Sequence, residues 1–122
     1  MNDNIFLTVK SYIPLPEDYT PFDPELITHT NSILGVVNQL GIGKNDYTID
    51  SDNPGSWEEF LEDEILLDMP TAPVISYICE RVKMLFDPPT SGILMEAKKE
   101  NIKELEWRIN EEKDICLRRS SS

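Results

Sequence analysis

Carboxylates are the side chains in this sequence that could perform chemistry. Glu58, Glu59, Glu62 and Asp63 lie within six residues of one another. Paired carboxylates act as general acid and base when their environments differ, with one of them in a dry pocket. These four lie on one short amphipathic segment and therefore share the same solvated environment. We predict a solvated acidic face there and no catalytic pair.

The segment from Asp50 to Gly55 begins like a calcium-binding loop, with acids at its first and third positions and glycine at its sixth. Its fifth position is Pro54, which has no side-chain oxygen, and the twelfth is Leu61, where such loops need a bidentate glutamate. A turn leading into a helix cap explains the same residues. We therefore expect no metal ion.

Other catalytic patterns are missing from the sequence. His29 is the single histidine, and Cys79 and Cys116 lack the spacing of metal ligands. No nucleophile elbow, zinc-protease motif or Cys-x-x-Cys motif occurs, and the glycines of 41–44 follow a predicted helix instead of a strand. We predict a protein that is not an enzyme and needs no cofactor.

The charge distribution excludes further classes. Eleven basic and 23 acidic residues give a net charge of −12, and no basic residue occurs between Lys44 and Arg81. Such a chain should repel nucleic acid, whose binding depends on Lys and Arg. No apolar run is long enough to span a membrane, and the first residues lack the features of a secretory signal. The cysteine content suggests synthesis in a reducing, intracellular compartment.

Apolar periodicity predicts a helical hairpin from Pro70 to Asn110, on which the remaining chain packs. Each predicted helix has an apolar stripe at three-and-four spacing, and the prolines of 87–92 must end the first helix. The first stripe comprises Ile75, Ile78, Val82 and Leu85, and the second comprises Met95, Ile102, Leu105 and Ile109.

Three shorter helices are predicted before the hairpin. The first covers about Asp3 to Ile13. The second has Asp23 as N-cap and stops at Gly41. The third opens with a Ser56–Glu59 capping box and presents one apolar side, made of Trp57, Phe60, Leu61 and Ile65. A long polar loop, 41–55, joins the second and third helices and contains a possible strand at 47–49. The prediction is an all-α bundle of four to five helices, with one domain over 1–114 and a C-terminal tail over 115–122.

Two residues have two interpretations each. Trp107 lies two positions after Leu105, so it is turned about 200° away from the hairpin core. It either anchors a contact with another subunit, together with Lys103 and Glu111, or is covered by the first or third helix. Gly35, inside the second helix, either permits the close approach of a neighbouring helix or is simply tolerated.

Five segments, in order, resemble the head–tail connector (adaptor) proteins of long-tailed double-stranded DNA phages and prophages. They are Phe22–Ile27, Asn38–Gly43, Ser56–Leu61, Arg81–Pro89 and Glu104–Asn110. The resemblance implies a helical bundle that forms a twelvefold ring under the portal protein, extends the DNA channel and docks a stopper or tail-completion protein. It also implies a place in the neck of the virion, after synthesis in the host bacterial cytoplasm.

Roles for individual residues follow from the resemblance. The C-terminal tail would face the portal, and the polar loop would face a neighbour or the stopper. We add the hypothesis that an acidic set lines the channel or its rim, where DNA must pass without binding. The tail residues are Ile115, Cys116, Leu117, Arg118 and Arg119; the loop residues are Lys44, Tyr47, Ile49 and Asp52; the acidic residues are Glu58, Glu59, Glu62, Asp63 and Glu64.

Two other classes of protein fit the same residues. One is a different phage head or tail completion subunit, which would assemble but not bind the portal. The other is an acidic monomer that mimics DNA and inhibits a nuclease. Salt-sensitive binding to a basic enzyme would favour this second alternative.

Overall fold

A computed structural model describes residues 3–120, which form six α-helices. Within those residues there is no β-strand, and the sole bridge-type pairing joins Asn4 to Ser56. The predicted all-α class is therefore confirmed, whereas the possible strand at 47–49 is wrong. In chain order the helices are α1 Ile5–Ser11, α2 Asp23–Gln39, α3 Trp57–Phe60, α4 Glu62–Leu66, α5 Ala72–Phe86 and α6 Gly92–Ser120.

The predicted hairpin is present as α5 and α6, and α5 lies at the centre of the bundle, with its most extensive contacts to α2 and α6. Ile78 and Val82 of its stripe are fully buried, while Leu85, at the open end, is exposed. Polar ties join the two helices. The hydroxyl of Tyr77 accepts from Arg81 at 2.8 Å and donates to Glu106 at 3.1 Å.

The start of α2 differs from its prediction in one detail. Phe22 occupies the N-cap position, and Asp23 is already the first helical residue. The Asp23 carboxylate accepts instead from the Nζ of Lys10, at 2.8 Å. That buried ammonium also donates to the carbonyls of Glu17 and Tyr19 at 2.9 and 2.7 Å. One cation therefore fixes the proline-rich connector between α1 and α2.

Two glycines of this region have different structural roles. Gly41 follows the end of α2 with φ of +81°, as predicted for a helix stop. Gly35 lies on an exposed part of α2, and a Cβ placed there would meet no atom within 4 Å. No helix of the same subunit therefore requires a glycine at this position. Of the two interpretations, the structure of the subunit supports the one in which Gly35 is simply tolerated.

The C-terminal boundary is the largest departure from expectation. Helix α6 continues through Ser120, so no separate tail begins at residue 115. Cys116 lies seven residues after Ile109 and extends the apolar stripe by two turns, and both side chains are buried. Residues 121 and 122 of the expected tail lie outside the described residues.

None of the helices within 3–120 combines the length and apolar character that a membrane span needs.

Candidate assembly surfaces

The acidic face is built on α3 and α4. Ser56 caps α3 by accepting from the backbone N–H of Glu59 at 3.2 Å, which confirms it as the N-cap. Its own backbone N–H donates to the hydroxyl of Tyr47 and not to Glu59, so only half of the predicted capping box forms. Trp57 and Phe60 are buried beneath the helix, and the indole N–H of Trp57 donates to the hydroxyl of Thr8 at 3.0 Å. This anchoring leaves four carboxylates exposed side by side, as predicted. They are Glu58, Glu59, Glu62 and Asp63.

Glu64 does not belong to that face. Its side chain is 1% exposed and lies on the inner side of α4, one turn after the buried Leu61. One carboxylate oxygen accepts from the backbone N–H of Gly43, and the other lies 3.8 Å from the Nζ of Lys113. The expectation that Glu64 lines a channel is wrong, because this carboxylate ties the loop after α2 to α6.

Asp3 holds the acidic face from the N-terminal side, a contact that the sequence did not indicate. Its carboxylate accepts from the Ser56 hydroxyl at 2.5 Å and from the backbone N–H of Glu58 at 2.9 Å. The hydrogen bond from Ser56, followed by the one from Glu58, lowers the pKa of Asp3. The sequence shows that the N–H groups at the start of α3 need acceptors, but not that Asp3 supplies one.

The loop of 41–55 is packed against the bundle more closely than expected. Ile49 is 2% exposed, and its backbone N–H and C=O pair with the side-chain amide of Asn31 at 2.8 and 3.0 Å. The ring centroids of Tyr47 and Phe60 lie 5.4 Å apart. Its hydroxyl accepts from the Ser56 N–H at 3.0 Å, and burial raises its pKa.

Only part of the loop set is therefore available to a partner. Lys44 and Asp52 are exposed, and Tyr47 is half-buried. Ile49 belongs to the core, so its assignment to a partner contact is wrong. Sequence polarity could not show this, because one isolated isoleucine in a polar loop has no periodicity to assign it to a face.

Trp107 is exposed, as predicted, with 64% of its surface accessible. No helix of the described residues covers it, so the alternative of burial by the first or third helix is wrong. Lys103, Trp107 and Glu111 are spaced four residues apart and lie along one line of α6. The Nζ of Lys103 is 3.8 Å from Glu100, an exposed pair of little energetic weight.

The C-terminal residues divide into buried and exposed members. Cys116 is 2% exposed and packs within the subunit, so its place in a portal-facing set is wrong. Ile115 is half-buried. Leu117, Arg118 and Arg119 are exposed, and Arg118 pairs with Asp114 at 2.9 Å.

The structure also contains a groove that the sequence did not reveal. It opens between α5 and α6 near their connecting turn and has a volume of about 460 Å³. We call it the hairpin groove. Its lining residues are Arg81, Met84, Pro88, Met95, Lys99, Ile102 and Lys103.

Cys79, His29 and Asp50, which belong to the candidate catalytic and metal-binding patterns, all make contacts within the fold. Burial, with a smaller contribution from the charge of Glu80, raises the pKa of the Cys79 thiol to about 12, so it is protonated at neutral pH. His29 Nε2 lies 3.5 Å from Glu25 on the same helix. The Asp50 carboxylate accepts from the backbone N–H groups of Asp52 and Asn53, each at 2.8 Å, which is a turn motif.

Fold and surface together define a small all-α protein that presents exposed acidic and apolar surfaces. The sequence profile of the phage connector protein family matches residues 5–115, and the chain belongs to that family. The match supports the resemblance to head–tail connectors, includes the N-terminal helix, and identifies the protein as a structural component of a phage particle. The comparisons with curated proteins and with solved structures each returned no match.

Proposed function

We propose that this protein is the subunit of a ring, twelvefold by resemblance, that sits beneath the portal, extends the DNA channel and joins the filled head to the stopper or tail. The observation that carries the proposal is the family match over residues 5–115. The ring and the portal contact come from the resemblance. The folded chain supplies surfaces suited to both.

The acidic face supports the channel role. Glu58 and Glu59 are exposed at the start of α3, where Asp3 accepts from the backbone N–H of Glu58 and the neighbouring Trp57 is buried. A lumen lined by carboxylates makes no phosphate contacts and repels the DNA backbone, so the genome can slide through it. We assign these residues to the channel or its rim.

Exposed apolar and basic groups support the assembly role. Trp107 is a large aromatic side chain on the outer line of α6, and side chains of this type dominate binding energy when a partner buries them. We assign it, with Lys103 and Glu111, to the contact between subunits. Leu117, Arg118 and Arg119, at the end of α6, are assigned to the portal, and Lys44 and Asp52 to a neighbour or the stopper.

The proposal is tested by removing the chain from a phage or induced prophage that encodes it. Without the subunit, DNA-filled heads and free tails should accumulate separately, and supplying the wild-type chain should restore tailed virions. Tailed, infectious particles in its absence would contradict the proposal. Incubating the purified protein with portal rings distinguishes the alternatives, because neither a completion subunit that acts elsewhere nor a DNA mimic binds the portal.

A further inference from the structure

The hairpin groove has an apolar floor that faces solvent. Met84, Pro88, Met95 and Ile102 form it. The groove is open to solvent and has a volume of about 460 Å³. Two of the four floor residues are methionines, whose flexible thioethers adapt to the shape of an inserted side chain. The floor is therefore suited to a protruding apolar residue.

The rim of the groove is basic, in a chain with a net charge of −12. Arg81 is held in place by the hydroxyl of Tyr77, at 2.8 Å. Lys99 and Lys103 stand one helical turn apart on α6, and Trp107 continues their line by a further turn. An occupant should therefore combine an apolar tip with flanking carboxylates.

Helix α4 of the same chain has this combination. Leu66 is 77% exposed and Ile65 is 47% exposed, although the sequence predicted Ile65 on the buried side. Glu62 lies one turn before Leu66, and Asp63 lies three residues before it, so both exposed carboxylates flank the apolar tip. The kink at Leu61 between α3 and α4 turns these residues outward.

Helix α4 does not cover the groove of its own subunit. No α4 residue lines the groove, and the contact between Glu64 and Lys113 places α4 beside a later part of α6. Lys113 follows Lys103 by ten residues, which corresponds to about 15 Å along the helix axis. The two complementary surfaces are thus displaced from each other within one subunit and available to different neighbours.

We propose that α4 of one copy of this chain docks into the hairpin groove of a second copy. The contact joins two different surfaces, so it repeats from subunit to subunit and closes into a ring when the rotation between neighbours permits. The inference rests on the proposed ring and names the contact that forms it. Glu62 and Asp63 then belong to this contact, and Glu58 and Glu59 remain for the channel rim.

Disulfide trapping between two variants, each with one introduced cysteine, tests the contact. Leu66→Cys places a thiol on the tip, and Met95→Cys places one on the groove floor; the native Cys79 and Cys116 are buried and do not compete. Mild oxidation of the mixture should give several times more linked dimer than a mixture of Leu66→Cys with Ile93→Cys. Ile93 is a matched control because it is exposed near Met95 but does not line the groove. Equal yields would overturn the proposal.

Charge reversal provides the second arm. Adding Lys99→Glu and Lys103→Glu to the Met95→Cys variant should reduce trapping about tenfold or more, since like charges facing each other across an interface repel. Adding Glu62→Lys and Asp63→Lys to the Leu66→Cys variant should then restore it. Trapping that ignores both sets of changes would refute the electrostatic match. If trapping fails although the wild-type chain forms rings on the portal, this contact alone is overturned. If dimers are trapped but the chain does not bind the portal, the proposed function alone is overturned.

Discussion

Glu64 shows how one residue can differ from the neighbours it resembles in sequence. It ends a run of acids, yet it faces inward and satisfies the backbone N–H of Gly43. Periodicity from the buried Leu61 contains this information, since the two are three residues apart. Its acidic neighbours nevertheless led us to group Glu64 with the exposed face. Identifying the partners required the structure, because Gly43 and Lys113 are 21 and 49 residues away along the chain.

We predict that Glu64→Ala lowers the free energy of unfolding by about 1–3 kcal/mol, because it leaves the part-buried N–H of Gly43 without this acceptor. Glu64→Gln should cost less, since its amide oxygen can still accept from Gly43. Urea denaturation measures both variants, with the exposed Glu62→Ala as the control. A loss in Glu64→Ala no larger than in the control would show that the buried contact contributes no stability.

Trp107 gives a second prediction at this scale. Because its side chain is largely exposed, Trp107→Ala should change the free energy of unfolding by no more than about 0.5 kcal/mol, yet it should strongly reduce assembly on portal rings. Ile109→Ala is the matched control on the same helix. It removes a fully buried side chain and should cost about 2–5 kcal/mol. Strong destabilisation by Trp107→Ala with unaltered assembly would reverse the assignment.

At the scale of elements, the sequence predicted the helices that have strong apolar periodicity. The hairpin, the N-cap at Ser56 and the stop at Gly41 are all present. The second bond of the predicted capping box is replaced by a hydrogen bond from Ser56 to Tyr47. The break at Leu61 was not predictable, because the acids on both sides of it are equally compatible with one longer helix. The end of α6 was misjudged because Cys116 was not recognised as part of the apolar stripe.

Two glycines provide a prediction about elements. Gly35→Ala should stabilise the protein by about 0.4–1 kcal/mol, because its Cβ meets no atom and alanine favours a helix. Gly43→Ala should destabilise it, since φ is +83° and the new Cβ would lie 2.3 Å from the Phe60 ring. Thermal unfolding compares the pair. A stabilised Gly35→Ala variant that no longer assembles would show that a neighbouring subunit approaches α2 closely at this position.

At the scale of the whole molecule, the resemblance of five ordered segments to head–tail connectors predicted the class of protein more firmly than any site. The residues with assembly potential are spread over α3, α4 and the hairpin, and no local pattern marks them as a set. The hairpin groove in particular combines positions from two helices and their connecting turn, so only their packing shows that basic and apolar residues meet there. The structure also moved Glu64, Ile49 and Cys116 from surface roles into the core.

Electron cryomicroscopy of the purified protein incubated with portal rings from its phage tests the central claim most directly. The account predicts a ring of this chain bound coaxially beneath the portal, with twelvefold symmetry and with Glu58 and Glu59 facing the channel. Portal rings that remain bare at saturating protein concentration would contradict it. A ring in which these acids lie on the outer surface would retain the connector role and refute the acidic channel.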